Sequence, residues 1–161
     1  MPFLNRTRLH FAIQGIFLIA FLLFPFSLAL AVLGGAKESV EIDREALSGK
    51  RQTLPHKTYT VELIQGSGIE LREYLDATGR IFAVSWNGNK IPDLSNLFGA
   101  YFSEHQKALE EARRAVPRKR GPLHLESAHL IVETGGRSPH LWGRAILPSL
   151  IPAGLLREEI Q

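Results

Sequence analysis

The groups that could do chemistry in this chain are scattered. Five histidines lie beyond residue 31, at His56, His105, His124, His129 and His140, and no H-E-x-x-H helix or other complete metal-ligand signature is present. Cysteine is absent, which removes thiolate nucleophiles, cysteine-ligated zinc and disulfides, so neither a structural metal nor a redox response is expected. His124-Leu125-Glu126 matches half of a zinc deaminase signature, but the half that supplies cysteines has no counterpart. A serine nucleophile on a strand-to-helix elbow would need G-x-S-x-G. Gly66-Ser67-Gly68 falls instead in a hairpin and reads as a turn. The glycines Gly34, Gly35, Gly135 and Gly136 fit neither dinucleotide nor P-loop spacing, so no cofactor is indicated. No catalytic residue is assigned. The arrangement that would favour acid–base hydrolysis is a cleft joining His124 or His129 to Glu73.

Binding has better material than catalysis. Tyr74, Trp86, Tyr101 and Trp142 combine apolar area with a polar handle, the residue type of binding hot spots and sugar-stacking surfaces. In the run from His140 to Ile146, the even positions His140, Trp142 and Arg144 share one strand face, and Leu141, Gly143 and Ala145 share the other. The odd face is small and apolar and belongs against the core, which directs Trp142 and Arg144 outward or into a groove. Trp142, Arg144 and Tyr74 are therefore the candidate binding residues. The rival arrangement buries Trp142 and pairs Arg144 with a carboxylate such as Glu73. His105 lies on an apolar helical stripe and reads as a hydrogen-bonded core or boundary histidine. The basic run Arg113, Arg114, Arg118, Lys119 and Arg120 stands beside Glu110 and Glu111, and reads as a solvated helix end.

The elements that must position these residues follow an export leader. Arg6 and Arg8 precede an apolar run, Ile16 to Leu28, and Ala29-Leu30-Ala31 is an A-x-A site, so cleavage is expected after Ala31 with the mature chain starting at Val32. The protein is then periplasmic or secreted, and membrane contact is expected only if the leader is retained as an anchor. The formal charge is +3, but two of the cations are in the leader; the remainder carries 17 basic and 16 acidic groups, which gives no electrostatic case for nucleic acid. Roughly 130 mature residues suffice for one domain, 32–161.

Within that domain, Gly34 to Lys57 reads as a short helix or extended arm, with Val40, Asp43 and Leu47 on one side. Alternation of period two then marks strands around Tyr59 to Leu63, Ile69 to Leu75 and Arg80 to Trp86, joined by Gln65-Gly66-Ser67-Gly68 and Asp76-Ala77-Thr78-Gly79. Phe82, Val84 and Trp86 are expected on one face, with Phe82 packed against Phe98 and Tyr101. From Leu94 to Ala115 apolar residues recur every three or four positions, an amphipathic helix that Asp93 or Ser95 can cap. Strand-like runs Leu123 to Glu133 and His140 to Leu147 flank Gly135-Gly136, and Pro148 to Gly154 reads as a loop. The sum is an α+β domain: an antiparallel meander sheet of about five strands with one long amphipathic helix on one face.

Several motifs along the mature chain carry a resemblance: Leu33-Gly34-Gly35, Arg72-Glu73-Tyr74, Phe82-Ala83-Val84-x-Trp86, Pro92-Asp93-Leu94, Leu97-x-Gly99-x-Tyr101-Phe102 and Gly143-Arg144-Ala145-x-Leu147-Pro148. Together they resemble an exported bacterial family catalogued as domain of unknown function 2844. The resemblance implies export and a single domain, and it carries no catalytic or binding residues. Arg137-Ser138 departs from it, since a histidine is expected soon after the double glycine. The function expected from these readings is a non-enzymatic accessory domain that binds an envelope protein or a small ligand. The alternative is a small hydrolase of envelope substrates using a histidine with a carboxylate.

Overall fold

Alternating side chains and tight turns build the first half of the sheet. Strands β2 (Thr60–Gly66), β3 (Ile69–Leu75) and β4 (Ile81–Gly88) form the expected meander. In the turn before β4, Asp76 Oδ1 accepts from the Thr78 and Arg80 amides, and Gly79 takes the left-handed φ of +80° that a side chain would resist. The computed structural model describes residues 33–115 and 121–161. The expected leader, 1–31, the expected start of the mature chain at Val32 and most of the basic linker lie outside the described residues.

The sheet has seven antiparallel strands rather than five. One extra strand is β1 (Lys50–Pro55), whose sequence Lys-Arg-Gln-Thr-Leu-Pro carries one apolar core-type residue besides its proline and so gives no alternation; it pairs with β2 along its whole length. The other arises because Leu123 to Glu133 is not one strand. It breaks into β5 (Leu123–Glu126) and the start of β6 (Ile131–Arg137), with a turn closed by the Ser127 amide on the Leu130 carbonyl. That turn contains neither Gly nor Pro. Strand β7 (His140–Ile146) then inserts between β6 and β4 and joins the two halves.

Helix α1 (Ser39–Ala46) realises the weak register of the N-terminal segment, with Val40 and Asp43 buried. The long helical stretch is α2 (Leu94–Phe98), a 3₁₀ turn at Gly99–Tyr101, and α3 (Phe102–Ala115). Asp93 caps it, accepting from the Ser95 and Asn96 amides at 2.9 and 3.4 Å. These helices cover one face of the sheet over a core that includes Ile64, Leu71, Val84, Trp86, Leu97, Phe98 and Val132.

The opposite face has its own core of Val61, Tyr74, Phe82, Ala83 and Ile146, covered by Leu155 and Ile160 from the C-terminal segment. Phe82 therefore does not join Phe98. The register shifts between Tyr74 and Leu75, so β4 carries an extra residue there, and Phe82 packs edge-on to Tyr59 at 6.3 Å and against Tyr74 at 6.1 Å. Phe98 meets Trp86 and His105 instead. No helix among the described residues is long and apolar enough to cross a membrane.

Candidate functional site

Strand register sorts the second face into three rows of neighbours. The innermost, Val61, Tyr74, Ala83 and Ile146, is apolar and lies under the C-terminal segment. The next, Arg72, Ser85, Arg144 and Glu133, grips that segment by its main chain. The outer row, Glu70, Asn87, Trp142 and Gly135, is left open.

The middle row is a set of charge-assisted clamps. Arg144 Nε donates to Glu133 at 2.6 Å while its Nη1 donates to the carbonyls of Arg157 at 2.9 Å and Ile160 at 2.7 Å. Arg72, Ser85 and Tyr74 all donate to the Gln161 main-chain oxygen, at 2.7, 2.7 and 2.6 Å, and the Tyr74 hydroxyl accepts from the Gln161 amide. Arg72 also pairs with Glu70 of its own strand at 2.6 Å. Burial pushes Glu133 up, but hydrogen bonds and charge from Arg144 and His124 outweigh it and hold the carboxylate below its usual range.

Between the clamps and the outer row lies a cavity of about 480 Å³. Its walls carry Trp142, Arg144, Arg72, Asn87 and Glu158. The Trp142 indole lies over Gly135 of β6, where an added Cβ would meet its Cζ2 at 2.7 Å, and the side chain stays 40% exposed. Trp142 and Arg144 thus share a face and a cavity, as their alternation implied, and Arg144 pairs with Glu133 rather than Glu73. Tyr74 is buried beneath the C-terminal segment and anchors it instead of facing the cavity. Sequence reasoning missed Arg72, Asn87 and Glu158, which reach the cavity only through the β4–β7 pairing and the return of the C-terminal segment.

Among the described residues, the histidines and the carboxylate that the acid–base alternative names have other partners. His124 sits on the edge strand β5 against Glu133 at 3.0 Å, and His129 holds Glu104 of α3 at 3.3 Å. Glu73 lies on the other sheet face from His124, fully buried beneath α1 beside Asp43. Burial first, then the neighbouring Asp43 carboxyl, holds Glu73 well above the usual carboxyl range, and burial raises Asp43 as well. Neighbouring Glu62 is ionised, accepting from Arg51 at 2.8 Å and Thr53 at 2.7 Å, with Lys37 at 3.3 Å. His105 is buried with Nδ1 unpartnered, and burial lowers its basicity, so it packs as a neutral ring. Among the described residues, no group of three His, Asp or Glu side chains could hold a metal ion.

A family model described as protein of unknown function (DUF2844) matches residues 29–160. The chain belongs to this family. No curated protein and no solved structure matches it. Within this DUF2844 domain the matched span takes in all seven strands and the C-terminal segment as far as Ile160.

Proposed function

We propose that the protein is an exported, non-enzymatic accessory domain, periplasmic or secreted, that binds a small ligand or an envelope protein in the cavity beside Trp142. One observation carries this reading. A cavity of about 480 Å³ falls within the range of about 300–1,000 Å³ typical of ligand sites, and it joins an accessible indole to a few fixed polar groups. Export is supported by the leader with its A-x-A site, and by Leu33, two residues beyond Ala31, being already packed in the core. The separation of His124 and His129 from Glu73 favours binding over hydrolysis.

The test has two arms. N-terminal sequencing of protein from the periplasm or medium should read from Val32, and a chain starting at Met1 or Pro2 in the membrane fraction would mean that the leader is an anchor and would overturn the periplasmic or secreted localisation. A photo-crosslinking residue at position 142, in the cell, should yield an adduct that the same residue at Lys107 on α3 does not. If both positions give the same adducts, or none, the cavity is not the binding site.

A further inference from the structure

We infer that the cavity binds a neutral saccharide, with a pyranose ring stacked on the Trp142 indole. This rests on the reading of the cavity as a binding site and names its ligand class.

The geometry of the indole is the first argument. The indole is backed by Gly135, a position where an added Cβ would collide with it, and the residue is still 40% exposed. A tryptophan backed by main chain on one side and open to solvent offers aromatic area for few rotatable bonds. Its electron-rich face attracts the polarised C–H bonds on the apolar face of a sugar ring.

The charges around the platform decide the class. Both guanidinium charges are already paired, Arg72 with Glu70 and Arg144 with Glu133, and each group also donates to main-chain oxygens of the C-terminal segment. Against these two arginines the walls hold three glutamates, Glu70, Glu133 and Glu158, so the lining is net negative by one. An anionic ligand would meet no free cation here and would be repelled. A purely apolar ligand would strip water from charged groups without replacing their hydrogen bonds. A single indole makes no cage for a quaternary ammonium group. What fits is a flat, uncharged ligand with hydroxyl groups on its rim, which can donate to the carboxylates and exchange hydrogen bonds with the Asn87 amide, the cross-strand neighbour of Trp142. The site also lies on inner strands, where the β4 and β7 edges are already paired, so an added peptide strand has no place to bond.

Titrating the purified chain with maltohexaose, cellohexaose and chitohexaose, and with polygalacturonate as the anionic probe, tests the assignment. At least one neutral oligosaccharide should protect Trp142 from quenching by neutral acrylamide, with a Kd on the order of 0.1–1 mM; Trp86, 3% exposed on the other face, contributes little to the quenching. By calorimetry, Trp142→Ala should weaken that binding at least about tenfold and Asn87→Ala measurably, while Arg113→Ala on the helical layer leaves it unchanged. The inference fails if no neutral probe binds, if polygalacturonate binds in preference, or if Trp142→Ala binds as the parent does. Should the in-cell crosslink at position 142 land on a protein while every oligosaccharide fails, the saccharide is lost and the binding reading stands.

Discussion

Trp86 and Trp142 sit on opposite faces of the sheet, and each lays its indole over a glycine of the adjoining strand, Trp86 over Gly143 and Trp142 over Gly135. The two contacts look alike and differ in consequence. At Gly143 a methyl group would collide with a ring enclosed by the helical core; at Gly135 the ring can swing toward solvent. Gly143→Ala should therefore cost about 1–3 kcal/mol in urea unfolding. Gly135→Ala should stay within about 1 kcal/mol and make Trp142 more accessible to acrylamide. Equal costs would mean that the outer indole is as confined as the inner one.

Removing the rings themselves gives a second contrast. Trp86→Ala empties a site in the main core and should cost about 3–5 kcal/mol. Trp142→Ala should cost less than about 1 kcal/mol, since much of its area is already hydrated. A Trp142→Ala protein that melts far lower would make that indole a structural element and remove the ground for the proposed site.

The Asp43–Glu73 pair makes stability depend on pH. Because the folded state raises Glu73 above its ordinary 4.5, its stabilising effect is complete below that pH and is lost as pH rises through the folded-state value. Glu73→Gln keeps the size of the side chain without a proton to lose. The variant should gain on the parent through the window above the ordinary 4.5 as pH rises, in urea unfolding. A constant difference across that window would show that the pair does not titrate as the burial of Glu73 demands.

Arg144 should behave as a fork rather than as a point charge. Arg144→Lys keeps the cation but cannot hold Glu133 and the carbonyls of Arg157 and Ile160 together, so a loss of about 1.5–3 kcal/mol is expected. Amide exchange at Ile160 and Gln161 should quicken before the rest of the sheet. The folded state lowers Glu133, so its share of this clamp is present above the ordinary 4.5 and lost as pH falls, which should loosen the C-terminal segment first in acid.

Local signals account for what was legible. The β2–β3–β4 meander, the helical stretch from Leu94 and the outward pairing of Trp142 with Arg144 all follow from periodicity and turn residues within a few positions. What periodicity cannot show is an edge strand such as β1, which buries little and so need not alternate. It also hides the bulge beside Leu75, which turns Phe82 to the opposite face. The cavity was half visible for the same reason. Trp142 and Arg144 announce themselves within one strand, whereas Asn87, Arg72 and Glu158 are brought to them by pairing across distant stretches of sequence.

That long-range pairing governs when the site comes into being. The junction of β4 with β7 joins Asn87 to Trp142 only after the helical stretch and the β5–β6 turn have been traversed, a non-local contact of the kind that forms late in folding. Neither half of the sheet holds more than one side of the cavity. A chain that is still unfolded brings no assembled cavity with it, and the cavity forms only once the two meanders have met.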